Sequence, residues 1–262
     1  MPEKIWINGE LLDRHAASVA ADAAGLLRGE GVFETLLASG GYVFARERHL
    51  ARLQTGAARM GLPPPDLASL RAHLDTLTPA QPHRVRITYT RRHDAADLTI
   101  ITQPIQPKPG AETAMLSPHR RNERSPLVGI KCTSYAENVL IHDEALRSGH
   151  GEALLLNTRD ELCEGSMSNV FVVLDGQVFT PPLSSGCLPG VRRAMLLECC
   201  PWITERTILP TDLELATEVF LSSSLRGITA LSAVDERLLP ACNGSLTQAA
   251  RAALDSMLTS ES

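Results

Sequence analysis

The sequence predicts a mixed α+β protein of two subdomains, and three observations carry that reading. At 262 residues the chain has length for one large domain or two modest ones. Before residue 105, strand-length runs dominate, and after residue 112 strands and helices alternate. Between them, QPIQPKPGAE (Gln103 to Glu112) packs three prolines and a glycine into ten residues. Such a segment continues neither a helix nor a central strand. Subdomains at 1–105 and 113–262, joined by a linker at 106–112, follow.

The first 105 residues read as strands interrupted by two helices. Lys4–Asn8 and Val32–Ala38 carry β-branched and aromatic residues in strand-length runs. Glu47–Met60 places apolar side chains at 50, 53, 57 and 60, the spacing of an amphipathic helix. Arg84–Tyr89 and Leu98–Thr102 read as a strand pair. Beyond the linker, Glu137–Ser148 reads as a helix ended by Gly149. Ala153–Asn157, Val170–Leu174 and Val178–Thr180 read as strands. Pro189-Gly190 opens a helix over Val191–Cys200. Val219–Ser222 closes the strand set, and Gln248–Leu258 is a final helix.

Composition narrows the function. The net charge of −5, with arginines scattered among acids, argues against nucleic acid as the main partner. No apolar run reaches the ~20 residues of a membrane helix. The opening MPEKIWINGE lacks the apolar stretch of a secretion signal, so a cytoplasmic protein is expected. Cysteines 132, 163, 187, 199, 200 and 242 show no metal spacing, and reduced thiols and no bound metal are expected.

The chain holds three lysines: Lys4, Lys108 and Lys131. Lys131 stands in GIKCTSYAENVL, directly after an apolar run and before a helix. Burial lowers a lysine pKa and turns the amine into a nucleophile or base. Such lysines bond covalently to carbonyl groups, that of pyridoxal phosphate included. That cofactor needs an acid at its ring nitrogen and donors for its phosphate. Glu164, in LCEGSMSNVFVV, is the candidate acid. Val191 and Arg192, first in the helix after LPG, offer backbone N–H groups. Ser223 and Ser224 in FLSSSLRGITAL offer hydroxyls, and Arg52 in ERHLARL a guanidinium.

In this order the motifs INGE, RGEGVFETLL, ERHLARL, GIKCTSYAENVL, LCEGSMSNVF, LPGVRR and EVFLSSSLRGITAL resemble the fold-type IV pyridoxal-phosphate enzymes. That family includes branched-chain and D-amino-acid aminotransferases and 4-amino-4-deoxychorismate lyase. The resemblance implies a smaller N-terminal α/β domain and a larger C-terminal one, as in D-amino-acid aminotransferase. It implies a small-molecule substrate, no membrane and a homodimer. It makes Lys131 the cofactor-bearing lysine and proton shuttle, Glu164 the partner of the ring nitrogen, and Arg52 a phosphate ligand. Val191, Arg192, Ser223 and Ser224 fall at further phosphate positions. Arg192 stands where the family often has threonine, and Ala136 where branched-chain enzymes often have an aromatic residue.

Within the family, Thr35 of GVFET resembles the lyases, whereas branched-chain enzymes tend to glycine and D-amino-acid enzymes to valine. TRRHDAAD departs from the D-enzyme's carboxylate element. Arg91, Arg92 and Tyr135 are candidates for substrate contact, and the role of Asn138 stays open. The expectation is a lyase releasing pyruvate and 4-aminobenzoate, with Lys131 and Thr35 at the reacting centre. The alternatives are an aminotransferase and a cofactor-free binding or scaffold relative.

Overall fold

A computed structural model describes residues 4–106 and 110–260. Residues 107–109 of the expected linker region lie outside the described residues. The chain forms two compact units. The first gathers residues 4–106 with Ile130–Tyr135, and the second gathers 110–129 with 136–260.

The first unit is built on β1 (Lys4–Ile7), β2 (Glu10–Asp13), β3 (Gly31–Ser39), β4 (Tyr42–Val43), β5 (His83–Arg92) and β6 (Ala95–Pro104). These form one sheet in the order β2-β1-β6-β5-β3-β4, antiparallel at every pairing. Three helices accompany it, one more than expected: α1 (Ala24–Arg28), α2 (Arg46–Arg59) and α3 (Leu67–Asp75). Side chains alternate across a strand. Val32, Leu36 and Ala38 of β3 and Val85, Ile87 and Tyr89 of β5 therefore share one face. They pack with Leu50, Leu53 and Ala57 of α2 and Leu70 and Leu74 of α3. Gly56 lets α2 sit close, because a Cβ there would come within 3.2 Å of the Val32 side chain.

Ile130–Tyr135 adds to this sheet although it is remote in sequence. Phe33 N–H donates to the Lys131 carbonyl at 2.9 Å and Thr133 N–H to the Gly31 carbonyl at 2.9 Å. Val32 and Cys132 form the bridge between these bonds. Lys131 is thereby fixed in register with Phe33.

The second unit has nine strands: β7 (Glu112–Arg121), β8 (Glu152–Asn157), β9 (Leu162–Gly165), β10 (Asn169–Leu174), β11 (Gln177–Thr180), β12 (Ile203–Glu205), β13 (Glu218–Ser223), β14 (Gly227–Val234) and β15 (Arg237–Leu238). The order is β12-β11-β10-β13-β14-β7-β8-β9, with β15 beside β14. β8 and β10 are buried at every residue, the mark of strands covered on both faces. The β7–β8 register shifts between Leu116 and Arg120, where Pro118 has no N–H for the ladder. The helices are α4 (Ala136–Arg147), α5 (Val191–Cys199), α6 (Pro210–Leu215) and α7 (Ser245–Ser260). Ile141 and Ala145 of α4 pack on Ala153 and Leu155 of β8.

Candidate active site

In the first unit the two faces of β3 hold different chemistry. On the helix face Glu34 is 1% exposed amid apolar neighbours, a costly place for a carboxylate without partners. It has three strong contacts from α2. Arg52 Nε donates to Oε1 at 2.7 Å and Arg52 Nη2 to Oε2 at 2.7 Å, a bidentate fork. His49 Nδ1 lies 2.7 Å from Oε2 and donates its proton there. His49 and Arg52 are three residues apart on one helix face. Burial pushes Glu34 upward, but the Arg52 charge and the hydrogen bonds from Arg52 and His49 outweigh it. The carboxyl is held at about 2, so it is ionised.

The opposite face carries Phe33 and Thr35. Lys131 is half-buried, with Nζ 4.4 Å from the Phe33 ring centre and 5.1 Å from that of Tyr135. The Tyr135 and Phe33 rings meet edge to face, centres 5.0 Å apart. Arg86 lies directly across from Thr35 in the β3–β5 register. Its guanidinium carbon is 3.3 Å from the Phe33 ring centre, a cation–π contact. Burial and then repulsion from Arg84 depress Arg86 to about 10, with Tyr135 and Glu34 acting the other way. Lys131, Thr35, Tyr135 and Arg86 thus gather around one buried ring.

Arg91 and Arg92 are placed differently. Arg91 Nε pairs with Glu30 at 2.8 Å, and its Nη2 donates to the Gly61 carbonyl at 2.6 Å. Arg92 Nε donates to Asp97 at 2.7 Å. Arg92 thus closes an ion pair within the β5–β6 hairpin, and Arg91 ties the hairpin to the residue before β3.

In the second unit Glu164 is buried in β9, and its Oε2 accepts the Leu188 N–H at 2.8 Å. Its Oε1 lies 3.2 Å from Arg121 Nε, and Arg121 Nη1 donates to Glu137 at 2.6 Å. The carboxylate thus lies between a cation and a main-chain donor. Its neighbours Cys163 and Cys187 are driven upward by burial, Cys187 to about 11, so neither offers a thiolate near neutral pH.

Leu188 leads into α5. Gly190 caps that helix and has no side chain of its own to accept from the first turn. The first N–H groups of a helix have no partner within the helix, so Val191 and Arg192 present donors there. Asn169 Nδ2 donates to the Leu188 carbonyl at 2.9 Å. A Cβ on Gly190 would lie 1.9 Å from Asn169 Oδ1, so only glycine permits this approach. Asn169 pairs in register with Ser222 of β13. Ser222 is 2% exposed, and its Oγ meets no hydrogen-bonding partner among the described residues. Ser223 ends β13 and Ser224 follows, both half-buried. The buried Arg192 guanidinium turns to the Ser224 carbonyl, Nη2 to O at 3.4 Å.

The sequence reading passed over Arg86, Arg121, Glu34 and Ser222. Arg86 carries a weak signal: an arginine in the polar phase of an alternating strand that faces GVFET. Glu34 carries a stronger one, an acid at an apolar-phase position with His and Arg three apart in the next helix. Arg121 and Ser222 become visible only through tertiary neighbours.

The sequence model described as amino-transferase class IV matches residues 31–234. A D-alanine aminotransferase of Bacillus licheniformis is 27% identical, with 98% of each chain covered. A bifunctional aminodeoxychorismate lyase / D-amino acid transaminase of Mycobacterium tuberculosis is 27% identical, covering 90% of this chain and 92% of that protein. Among solved structures, a hypothetical aminotransferase from Mycobacterium tuberculosis in its PLP-bound form superposes with a TM-score of 0.89. It is 25% identical and covers 99% of this chain and 100% of that one.

Proposed function

The chain belongs to the class IV aminotransferase family, and on that premise we propose that it is a pyridoxal-phosphate enzyme with aminodeoxychorismate lyase activity. The donor set fits the cofactor. An anion is suited by a glycine-capped helix start and a buried Ser222 hydroxyl that meets no partner among the described residues. A protonated ring nitrogen is suited by a buried carboxylate that lies beside Arg121 and accepts a backbone N–H. Lys131 would carry the cofactor and Glu164 would face its ring nitrogen. The amides of Val191 and Arg192, the hydroxyls of Ser223 and Ser224, and Arg52 would hold its phosphate. The Arg192 side chain serves Ser224, which leaves its contribution to the backbone.

When bound, the cofactor supplies an electron sink for the charge released as a substrate carbon loses its proton. Lys131 Nζ takes that proton as general base and returns one to the leaving group as general acid. The Phe33 and Tyr135 rings exclude water on one side of Nζ. Arg86 gives a substrate carboxylate a partly desolvated, charge-assisted partner. In this reading Arg86 takes the role expected of Arg91 and Arg92, whose charges are already met. Thr35 sits opposite Arg86 and would orient the substrate between carboxylate and base. Aromatisation of the product drives the elimination, so a base and an oriented dicarboxylate suffice.

The observation that carries the lyase reading is Thr35 paired with Arg86 beside Lys131. A second reading, amino transfer, is favoured by the likeness to the D-alanine aminotransferase over nearly the whole chain. Both share the first proton removal and differ in where the proton returns. The test is to supply 4-amino-4-deoxychorismate and follow pyruvate. Stoichiometric pyruvate and 4-aminobenzoate are expected. Efficient amino exchange between an amino acid and 2-oxoglutarate with no pyruvate would replace the lyase reading by the second. A homodimer is part of the proposal. Leu26 and Leu27 of α1 are 62% and 67% exposed, apolar area that a second copy would cover, and sedimentation should show twice the monomer mass.

A further inference from the structure

The Glu34–His49–Arg52 cluster is the most buried charged assembly of the first unit, and the reaction described above uses only its arginine. Glu34 stands in the apolar phase of β3, where valine and leucine occupy the neighbouring same-face positions. Replacing a buried ion pair by apolar residues is often neutral or stabilising, so stability alone does not explain a carboxylate there. What the carboxylate does supply is geometry. An arginine on a helix facing solvent samples many rotamers, and ordering it costs up to about 2 kcal/mol of side-chain entropy. Here the fork is fixed by two parallel hydrogen bonds of 2.7 Å each, to a carboxylate that cannot itself move. His49, also 1% exposed, holds that carboxylate from a second direction through Oε2. The arginine side chain remains 13% exposed, so the plane is set from within while the group still reaches the surface of the unit.

We propose that Glu34, braced by His49, is a positioning residue that pre-sets the Arg52 guanidinium for the phosphate of the cofactor. This rests on the reading of Arg52 as a phosphate ligand. The pair converts a flexible cation into a rigid anion clamp, so cofactor phosphate is bound without the cost of ordering the side chain. Because Glu34 neutralises part of the arginine charge, its removal has opposing effects. Bare charge on Arg52 rises, while orientation is lost. For a planar fork the second effect dominates, since bidentate phosphate recognition depends on alignment.

The discriminating measurement compares pyridoxal phosphate with pyridoxal, which lacks the phosphate. Apoprotein prepared from holoenzyme is titrated with each, for wild type, Glu34→Gln and His49→Gln, with folding checked by circular dichroism. Wild type should prefer pyridoxal phosphate by about 100-fold or more, as charge-assisted phosphate contacts require. Glu34→Gln should shrink that preference about tenfold while leaving pyridoxal affinity unchanged. His49→Gln should shrink it about threefold. Should Glu34→Gln fail to fold, Glu34→Asp, which keeps the charge but withdraws it from the fork, takes its place with an expected loss of about fivefold. A folded Glu34 variant with an unchanged preference overturns the inference, and so does a parallel loss of affinity for both compounds. A wild type that takes up neither compound overturns the cofactor reading itself. A wild type that binds both equally overturns the phosphate site as a whole, Arg52 and the α5 start alike, and with it the positioning by Glu34.

Discussion

Glu34 and Glu164 are both buried carboxylates on strands, yet they are satisfied in different ways. Glu34, in the first unit, is held by side chains alone, the Arg52 fork and His49. Glu164, in the second, takes one main-chain donor from Leu188 and one cation from Arg121. The contrast extends to their surroundings. Around Lys131 the first unit deploys side chains: two aromatic rings, a threonine and an arginine. Around the start of α5 the second unit deploys mostly backbone: a glycine-capped helix start and a glycine that admits close approach. Side-chain chemistry is removable by one substitution, whereas a backbone donor survives most of them. Single substitutions around Lys131 should therefore cost far more than those at the α5 start.

The sharpest attempt to break that contrast is Lys131→Ala. With the base and the covalent anchor both gone, activity should fall about 10³-fold or more, whichever product is followed. The protein should still fold, since the segment is held by main-chain bonds to Gly31 and Phe33. Borohydride reduction of the loaded wild type, followed by peptide mapping, should label Lys131. Retention of full activity in Lys131→Ala would remove the mechanism.

A second effect concerns stability. Glu34 is held at about 2 in the folded protein, against an ordinary value of 4.5. A depressed carboxyl stabilises the fold fully above the unfolded value and loses that contribution as pH falls from about 4.5 through about 2. The difference corresponds to about 3 kcal/mol. Denaturant melts of wild type and Glu34→Gln should thus differ most above about pH 5 and converge as pH falls through about 2. Parallel curves throughout that range would show that Glu34 is not ionised as described.

How much of this was legible in the sequence depended on periodicity and on chain distance. The β3 strand, α2 and the buried β8 and β10 strands were legible because their apolar spacing is intrinsic to the segment. The helix at α3 and the strand at β7 were not. The first is short, and the second carries Pro118 and three basic residues at its end. Lys131, Glu164 and the α5 start were readable as motifs because each sits where an element begins or ends. Arg86 was not readable, because its meaning comes from the register that sets it across from Thr35 and from the ring of Phe33. The hairpin arginines 91 and 92 were the candidates the sequence offered, and they pair with Glu30 and Asp97.

That distinction predicts a third effect. Arg86→Gln should raise KM for a carboxylate substrate about tenfold with a smaller change in kcat, because it removes one charge-assisted contact. Arg91→Gln and Arg92→Gln should leave KM within about twofold, because their guanidinium groups already pair with Glu30 and Asp97. The reverse ranking, read from initial rates, would return the substrate role to the hairpin.

The smallest effect is expected in the second unit and tests the contrast from its other side. Ser222 is buried, but its hydroxyl is bonded to nothing among the described residues, so the folded protein gains little from it. Ser222→Ala removes an unsatisfied polar atom without changing the strand, whose bonds to β10 and β14 are main-chain. Stability should stay within about 0.5 kcal/mol of wild type or rise slightly. Affinity for pyridoxal phosphate should fall only about threefold, since the neighbouring amides at the α5 start remain. A loss approaching that of Lys131→Ala would mean that the second unit, too, depends on one side chain, and the division between side-chain and backbone recognition would not hold.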